Sequence, residues 1–468
     1  MPDITVRRAG VIRSAVRRRR RPAGRGGRWA RAALACLSAV SGLVACTSTS
    51  SAVTPTAACA GPGISREAIR LGLIYPDTGI TASLFSTFRD GVDARLGVAN
   101  AAGGVNGRRI TYTWRDDASS PAGNQAAAHS LVDNDAVFGL IESSLSAGAS
   151  VDLLHRAGIP VTGTSLDPDW AGHDNMFSYS NLVARGSSVT TWGRFVADQG
   201  GHRAVLIQSA FSQTSMVLAD EMERSLRAAG IPVVDRVDAT SLIAVAALGE
   251  KVRASGADVM IGTVTGAAFA SLLRATRGKP SKLRVILSPT NYDQGLLERY
   301  RDALPDVYTF TDYQPFELNL PAHRRFLAGM HAYAPQVNPP TQQAALAGWI
   351  SADMFLRGLV AAGPCPSRAL FLRGLRALRG YTADGLLPAA VDFATSTAQV
   401  SQCYTFLRVN HAATGFDVLP PAPLCGQTIA RSGVRCEPLG GAWPPACAAL
   451  GLASLAARRK QQRSSVVR

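Results

Sequence analysis

The chain has 468 residues, 47% of them hydrophobic and 18% charged, with a formal net charge of +16. Its first 45 residues hold eleven arginines against one aspartate, and its last eleven hold five basic residues and no acid, leaving +1 for everything between. A nearly neutral body excludes an extended basic face for nucleic acid, and a length beyond the roughly 250–300 residues that one core serves calls for two lobes or domains.

The first element is the Arg-rich stretch VRRRRRPAGRGGRWAR, followed by the apolar run AALACLSAVSGLVA and then Cys46. A positive region, an apolar region of about a dozen residues and small residues before the cut make a secretory signal over 1–45. The ending LVAC resembles the bacterial lipobox, which implies a lipid on Cys46 and an anchor on the outer face of the cell membrane. Residues 46–63 are a flexible Ser/Thr/Ala/Pro tether. Export leaves six cysteines in an oxidising compartment: Cys59, Cys365, Cys403, Cys425, Cys436 and Cys447. An even number there suggests disulfides, with fifteen pairings open. The absence of C-x-x-C spacing and the scattered histidines argue against a metal site. No G-x-S-x-G elbow appears, so no catalytic residues and no cofactor are assigned.

From residue 68 strands and helices alternate. AIRLGLIYP reads as a strand, and 85–100 as a helix with Phe85, Phe88, Val92, Leu96 and Ala99 on one face. RRITYTWRDD is the next strand. Between these two lies NAAGGVNGRRI, whose glycines suggest a phosphate loop, but such a loop runs from strand to helix and this one runs from helix to strand. Gly103 and Gly104 therefore end the helix in left-handed conformations, and Asn106-Gly107 makes the turn into the strand. The order continues with a helix at 121–132, the strand AVFGLIESS, a helix at 146–157 and the strand IPVTGT. MFSYSNL, 176–182, breaks the rhythm and reads as a connection between lobes.

The alternation then restarts. RAVLIQSA, IPVVDRV, ADVMIGTVT and LRVILSPT are strands, with helices at 213–229, 243–254, 266–276 and 293–303. VYTFTDYQPF reads as a second crossing. Helices follow near 319–334, 342–362 and 367–378, then a hairpin of AVDFATS with CYTFLRVN. Such alternation implies an α/β fold with parallel sheets covered on both faces. Two halves joined by more than one crossing strand make a clamshell whose hinge lets a ligand stabilise closure.

IRLGLIYPDTG, GVDARLGVANAAGGVNGRRITYTWRDD, VFGLIESSLSAGA and AGIPVTGTS together resemble the periplasmic-binding-protein family of the leucine/isoleucine/valine-binding type, over about residues 64–425. The resemblance implies a type I clamshell: two doubly wound parallel-sheet lobes joined by a multi-strand hinge. Lobe 1 is expected over 64–184 and 312–390, lobe 2 over 185–311 and 391–425, with a cysteine-containing segment and basic tail at 426–468. The implied function is capture of a small-molecule ligand outside the membrane and delivery to an ABC-type permease, with no enzymatic step. The alternative is the ligand-binding ectodomain of a sensor. A sensor needs a spanning helix of about 20 apolar residues, and the tract ACAALGLASLAA is too short.

Ligands sit beyond the carboxyl ends of strands in open α/β sheets. There the loop ESSLSAG offers Ser143, Ser144 and Ser146 before a helix, and hydroxyls with free N–H groups suit a carboxylate. The resemblance implies ligand contacts at Ser144 and Ser146, and at Thr164 and Ser165 in GTSLDPDW, although Leu166 stands where the family usually has threonine. In the second lobe Phe211 matches the family's aromatic position without a hydroxyl, and Thr290 replaces the acid that pairs with a ligand ammonium. Trp349 falls near a late aromatic position. A buried ammonium without a carboxylate is costly, so either Asp293 or Asp312 takes that role, or the ligand is no ordinary α-amino acid. The expected ligand is a carboxylate- or amide-bearing molecule with an apolar or aromatic body.

Overall fold

The computed structural model describes residues 59–277, 280–395 and 399–429. The expected signal at 1–45, Cys46, most of the expected tether, Cys436, Cys447 and the basic tail lie outside the described residues. The first sheet has the order β2-β1-β3-β4-β5 and is wholly parallel. Its strands are β1 (Ala68–Tyr75), β2 (Arg109–Asp116), β3 (Leu140–Ser143), β4 (Val161–Ser165) and β5 (Met176–Asn181). Alternation along β1 sorts its side chains between two cores. Leu71, Leu73 and Tyr75 pack with α2 (Phe88–Ala101), α10 (Pro321–Tyr333), α11 (Gln343–Ala362) and α12 (Arg368–Ala377). Ile74 faces α3 (Pro121–His129) and α4 (Val151–Arg156).

The second sheet has the order β12-β11-β10-β9-β8-β6-β7, with β13 also paired to β11. The parallel part is β6 (Ala204–Gln208), β7 (Val233–Asp238), β8 (Val259–Gly262), β9 (Val285–Leu287) and β10 (Tyr308–Thr311). It becomes mixed where β11 (Cys403–Val409) runs antiparallel to β10 and to β12 (Phe416–Val418) and β13 (Leu424–Cys425). Leu206 faces α5 (Thr191–Asp198) and α6 (Gln213–Ala228), while Val205 and Ile207 face α7 (Val245–Ala254) and α8 (Gly266–Thr276).

The corner after α2 forms as its local chemistry requires. Gly103, Gly104, Asn106 and Gly107 have φ of 97°, 72°, 50° and 77°. A Cβ on Gly104 would stand 2.0 Å from the Arg108 carbonyl oxygen. Asn100 ties the helix end to β2 through two hydrogen bonds of 2.8 Å with the Ile110 backbone.

Four expectations need correction. Met176–Asn181 is a strand of the first sheet, and the chain leaves that sheet only at its end. AVDFATS forms no hairpin with CYTFLRVN, because β11 has β10 on one side and β12 with β13 on the other; Val391 bridges Tyr381 instead. The single helix at 146–157 is a 3-10 turn at Ala147–Ala149 followed by the six-residue α4. Helix α5 is not foreseen from the sequence, in which Gly193 weakens a helical pattern. That glycine is demanded by packing, since a Cβ there would lie 2.0 Å from the Ser225 carbonyl oxygen on α6.

Three segments join the sheets: the chain after β5, the chain after β10, and the approach to β11. They are tied side by side: the Ser401 amide donates to the Asn181 carbonyl at 3.0 Å, the Ser180 and Ser401 hydroxyls are 2.9 Å apart, and Asp312 accepts from Ser180. Helix α11 is long and apolar enough to cross a membrane, yet most of its residues are buried in the first core, so it is a core helix.

Candidate functional site

The loops at the carboxyl ends of the parallel strands are built from hydroxyls and carboxyls laced together. Ser143, the last residue of β3, bonds through Oγ to Thr164 Oγ1 near the end of β4, and both are buried. The Ser144 hydroxyl donates to Oδ2 of Asp117 and accepts from the Ser146 amide at 2.9 Å. Asn124 Nδ2 lies 3.4 Å from Asp117 Oδ2 and 2.8 Å from Glu142 Oε1. The Gly148 amide donates to Asp167 Oδ2 at 2.9 Å.

These bonds change what the serine loop offers a ligand. The Ser144 hydrogen and the Ser146 and Gly148 amides, which sequence reasoning directed at an anion, are bonded within the loop region. The helix behind them is too short for a substantial dipole. Burial pushes the carboxyls of Asp117 and Asp167 above their ordinary range. Burial, with the charges of Asp117 and Asp167 adding to it, raises Glu142 to about 8.

Ser165 is buried, its amide bonded to Ser178 Oγ at 3.0 Å, while its own hydroxyl has no partner among the described residues. The next residue carries a bridge between the two halves: Thr214 Oγ1, in the first turn of α6, donates to the Leu166 carbonyl at 2.7 Å. Beside this bridge Arg185 meets Asp169 at 2.8 Å and also bonds Gln213. A cavity of about 400 Å³ opens here, lined by Gly148, Val151, Pro168, Asp169, Ala184 and Arg185 among others.

Phe211 is 90% exposed on the loop after β6 in the second half, and Ile80 is 91% exposed on the loop after β1 in the first. Thr290 turns its hydroxyl to the Val264 carbonyl at 3.0 Å. Asn291 is fully buried, and neither its Nδ2 nor its Oδ1 has a partner among the described residues. Asp293 is a helix cap: its Oδ1 accepts from the Leu296 amide at 2.6 Å at the start of α9 (Gln294–Arg299), so its position is explained by folding. Trp349 also has a packing role on α11, meeting Phe326 edge-on at 5.5 Å and lying under the Arg95 guanidinium.

Asp312 stands where the chain leaves β10, with a hydrogen bond from Ser180, and burial raises its carboxyl. Nearby, Tyr292 donates to Glu317 Oε2 at 2.7 Å and accepts from the Phe316 amide at 2.9 Å. Tyr313 Oη and Gln314 Oε1 are buried without partners among the described residues. Sequence reasoning missed Asp117, Thr214 and the side-chain amide of Asn291. The paired aspartates closing β2 were a signal for the first. The other two depend on contacts between distant segments and left no local mark.

A family model described as periplasmic binding protein matches residues 68–415. Among curated relatives, a Leu/Ile/Val-binding protein homolog 3 of Brucella melitensis is 30% identical over 113 residues, 23% of this chain and 31% of the relative. A Leu/Ile/Val-binding protein homolog 2 of Brucella abortus is 26% identical over 170 residues, 36% of this chain and 46% of the relative. The matched stretches thus span a third to a half of those proteins. Among solved structures, a substrate-binding protein of an ABC transporter from Aeropyrum pernix superposes with a TM-score of 0.68 at 12% identity, covering 79% of this chain and 98% of that one. A branched-chain amino acid transporter substrate-binding protein from Streptococcus pneumoniae, in complex with isoleucine, gives 0.62 at 16% identity, covering 76% and 100%. At such identities these superpositions establish the fold.

Proposed function

Since this chain belongs to the periplasmic binding protein family and has its type I two-lobed fold, whose members are exported substrate-binding proteins and not enzymes, we propose that it captures a small polar solute between its lobes and presents it to an ABC-type permease. One observation carries the reading. Buried polar atoms without partners among the described residues, the Ser165 hydroxyl, the Asn291 amide and the Tyr313 hydroxyl, occur at strand ends and crossings of both halves. Buried polar groups are normally satisfied, and a solute held between the lobes would supply the missing partners. The Thr214–Leu166 bond and the three tied crossings supply a hinge about which such a solute would stabilise one arrangement of the lobes.

The export signal and the lipid on Cys46 belong to the same proposal. A lipid-anchored receptor works at the membrane face where its permease lies, and the Ser/Thr/Pro tether gives it reach. Replacing Cys46 by alanine is expected to move the protein from the membrane fraction to the soluble one.

The test of capture is thermal unfolding and small-angle scattering against a panel of amino acids, amides, amines, aromatic acids and sugars. A solute at a hundred times its dissociation constant should add about 2.7 kcal/mol of stability and reduce the radius of gyration. A folded protein that responds to no class of solute would sink the proposal.

A further inference from the structure

The basic residues on the loops of the body are sorted by sheet end. The segments following the parallel strands and their crossings are 76–81, 117–120, 144–150, 166–175, 182–190, 209–212, 239–244, 263–265, 288–293 and 312–320. Together they contain eight acids, one of which, Asp174, lies beside the start of β5 at the opposite end, no lysine and a single arginine, Arg185. That arginine is bonded to Asp169 and Gln213. Basic residues are not scarce elsewhere: Arg108, Arg203, Arg277, Lys282, Arg284 and Arg301 all lie on loops at the opposite ends of the sheets. A solute entering beyond the carboxyl ends therefore meets carboxyls, with no free arginine or lysine in these described segments to receive an anion.

Three further observations point the same way. The donors nearest the serine loop, the Ser144 hydroxyl and the Ser146 and Gly148 amides, are already bonded to neighbours. Asp169 is paired with Arg185, but four other acids at these ends have hydrogen-bond donors and no cation as partners. Asp117 is bonded by Ser144, Asn124 and the Ser119 amide, Glu142 by Asn124, Asp312 by Ser180 and Glu317 by Tyr292. Glu142 Oε2, in a fully buried residue of this acid group, has no partner among the described residues, and neither has the buried amide of Asn291. The buried carboxyls of Asp117, Glu142 and Asp312 stand above their ordinary range because burial is not offset by an opposite charge. An ammonium or guanidinium would supply that charge. A carboxylate would add like charge, which is costly in a cleft of low dielectric.

Resting on the solute-capture reading above, we propose that the solute is cationic and carries no carboxylate: an amine or guanidine compound whose charge meets the acids at the strand ends. Its apolar body lies against the exposed Phe211 and Ile80. Its remaining hydrogen bonds go to the Ser165 hydroxyl and the Asn291 amide.

The experiment titrates the protein with butylamine, putrescine and agmatine, and separately with isoleucine, butyrate and benzoate. Thermal unfolding, calorimetry and scattering are the readouts. The amines are expected to bind at least tenfold more tightly than the carboxylates, to weaken with added salt, and to release protons as they bind. Phe211→Lys is expected to weaken amine binding at least fivefold relative to Phe211→Gln; both sit on an exposed loop, so folding is not at issue. Tighter binding and compaction with isoleucine, butyrate or benzoate would overturn the proposal while leaving solute capture intact. Silence from every solute would overturn both.

Discussion

The Ser144 hydroxyl donates to the buried carboxylate of Asp117, so the serine that sequence reasoning aimed at a ligand holds two loops of its own lobe together. Removing it leaves a buried carboxylate short of one donor, which costs about 1–3 kcal/mol. Ser144→Ala should lower stability by that amount in urea unfolding. Because the two side chains form one unit, Asp117→Asn and Ser144→Ala should be non-additive in a double-mutant cycle. Additive losses would show that the bond contributes nothing.

Glu142 sets a pH dependence with a definite sign. Its carboxyl is raised from 4.5 to about 8, by burial first and then by the nearby charges of Asp117 and Asp167, against a lowering by Asn124. The folded protein therefore holds a proton that the unfolded chain has lost. The stability contribution is complete below the unfolded value and disappears as pH rises through about 8. Glu142→Gln keeps an acceptor for Asn124 and removes the titration. Its melting temperature should match wild type at pH 5 and exceed it at pH 8.5; equal pH profiles would refute the assignment.

The two disulfides among the described residues differ in what they constrain. Cys403–Cys425 closes a short loop between β11 and β13, while Cys59–Cys365 joins positions 306 residues apart. Restricting the unfolded chain grows with loop length, from about 3 kcal/mol for the short loop toward roughly 5 for the long one. Pairwise serine replacement should therefore cost more at Cys59 and Cys365 than at Cys403 and Cys425, as read by chemical unfolding.

In the helical layer of the first half, Asp353 is buried and bonded by Arg95 at 2.7 and 3.0 Å and by Tyr381 at 3.0 Å. Asp353→Ala strands the partly buried Arg95 without its anion, a change worth about 3–5 kcal/mol. Asp353→Leu with Arg95→Met should recover most of that loss if desolvation is the cause.

Thr214 is the test of coupling between the halves. Thr214→Val keeps the shape and deletes one hydrogen bond to the Leu166 carbonyl. A bond of about 1 kcal/mol corresponds to about a fivefold weaker solute affinity if the bridge supports the binding arrangement. Unchanged affinity would assign the bridge to the static part of the hinge.

The sequence by itself determined the alternating α/β order, the Gly103–Gly107 corner and the position of the serine loop at the end of β3. Each of these follows from side chains within a few residues of one another: alternation along β1, glycines at positive φ, hydroxyls beside a turn. Only the tertiary structure decided where the hydroxyls point and which strands pair. Ser144 and Asp117 are 27 residues apart, and Thr214 and Leu166 are 48 apart. The antiparallel addition of β11 to β10 likewise joins distant segments. The glycine in α5 is explained only by the α6 backbone against it. A hydrogen bond between distant segments has no local signature, since its donor would be just as well satisfied by water or ligand until the chain folds around it.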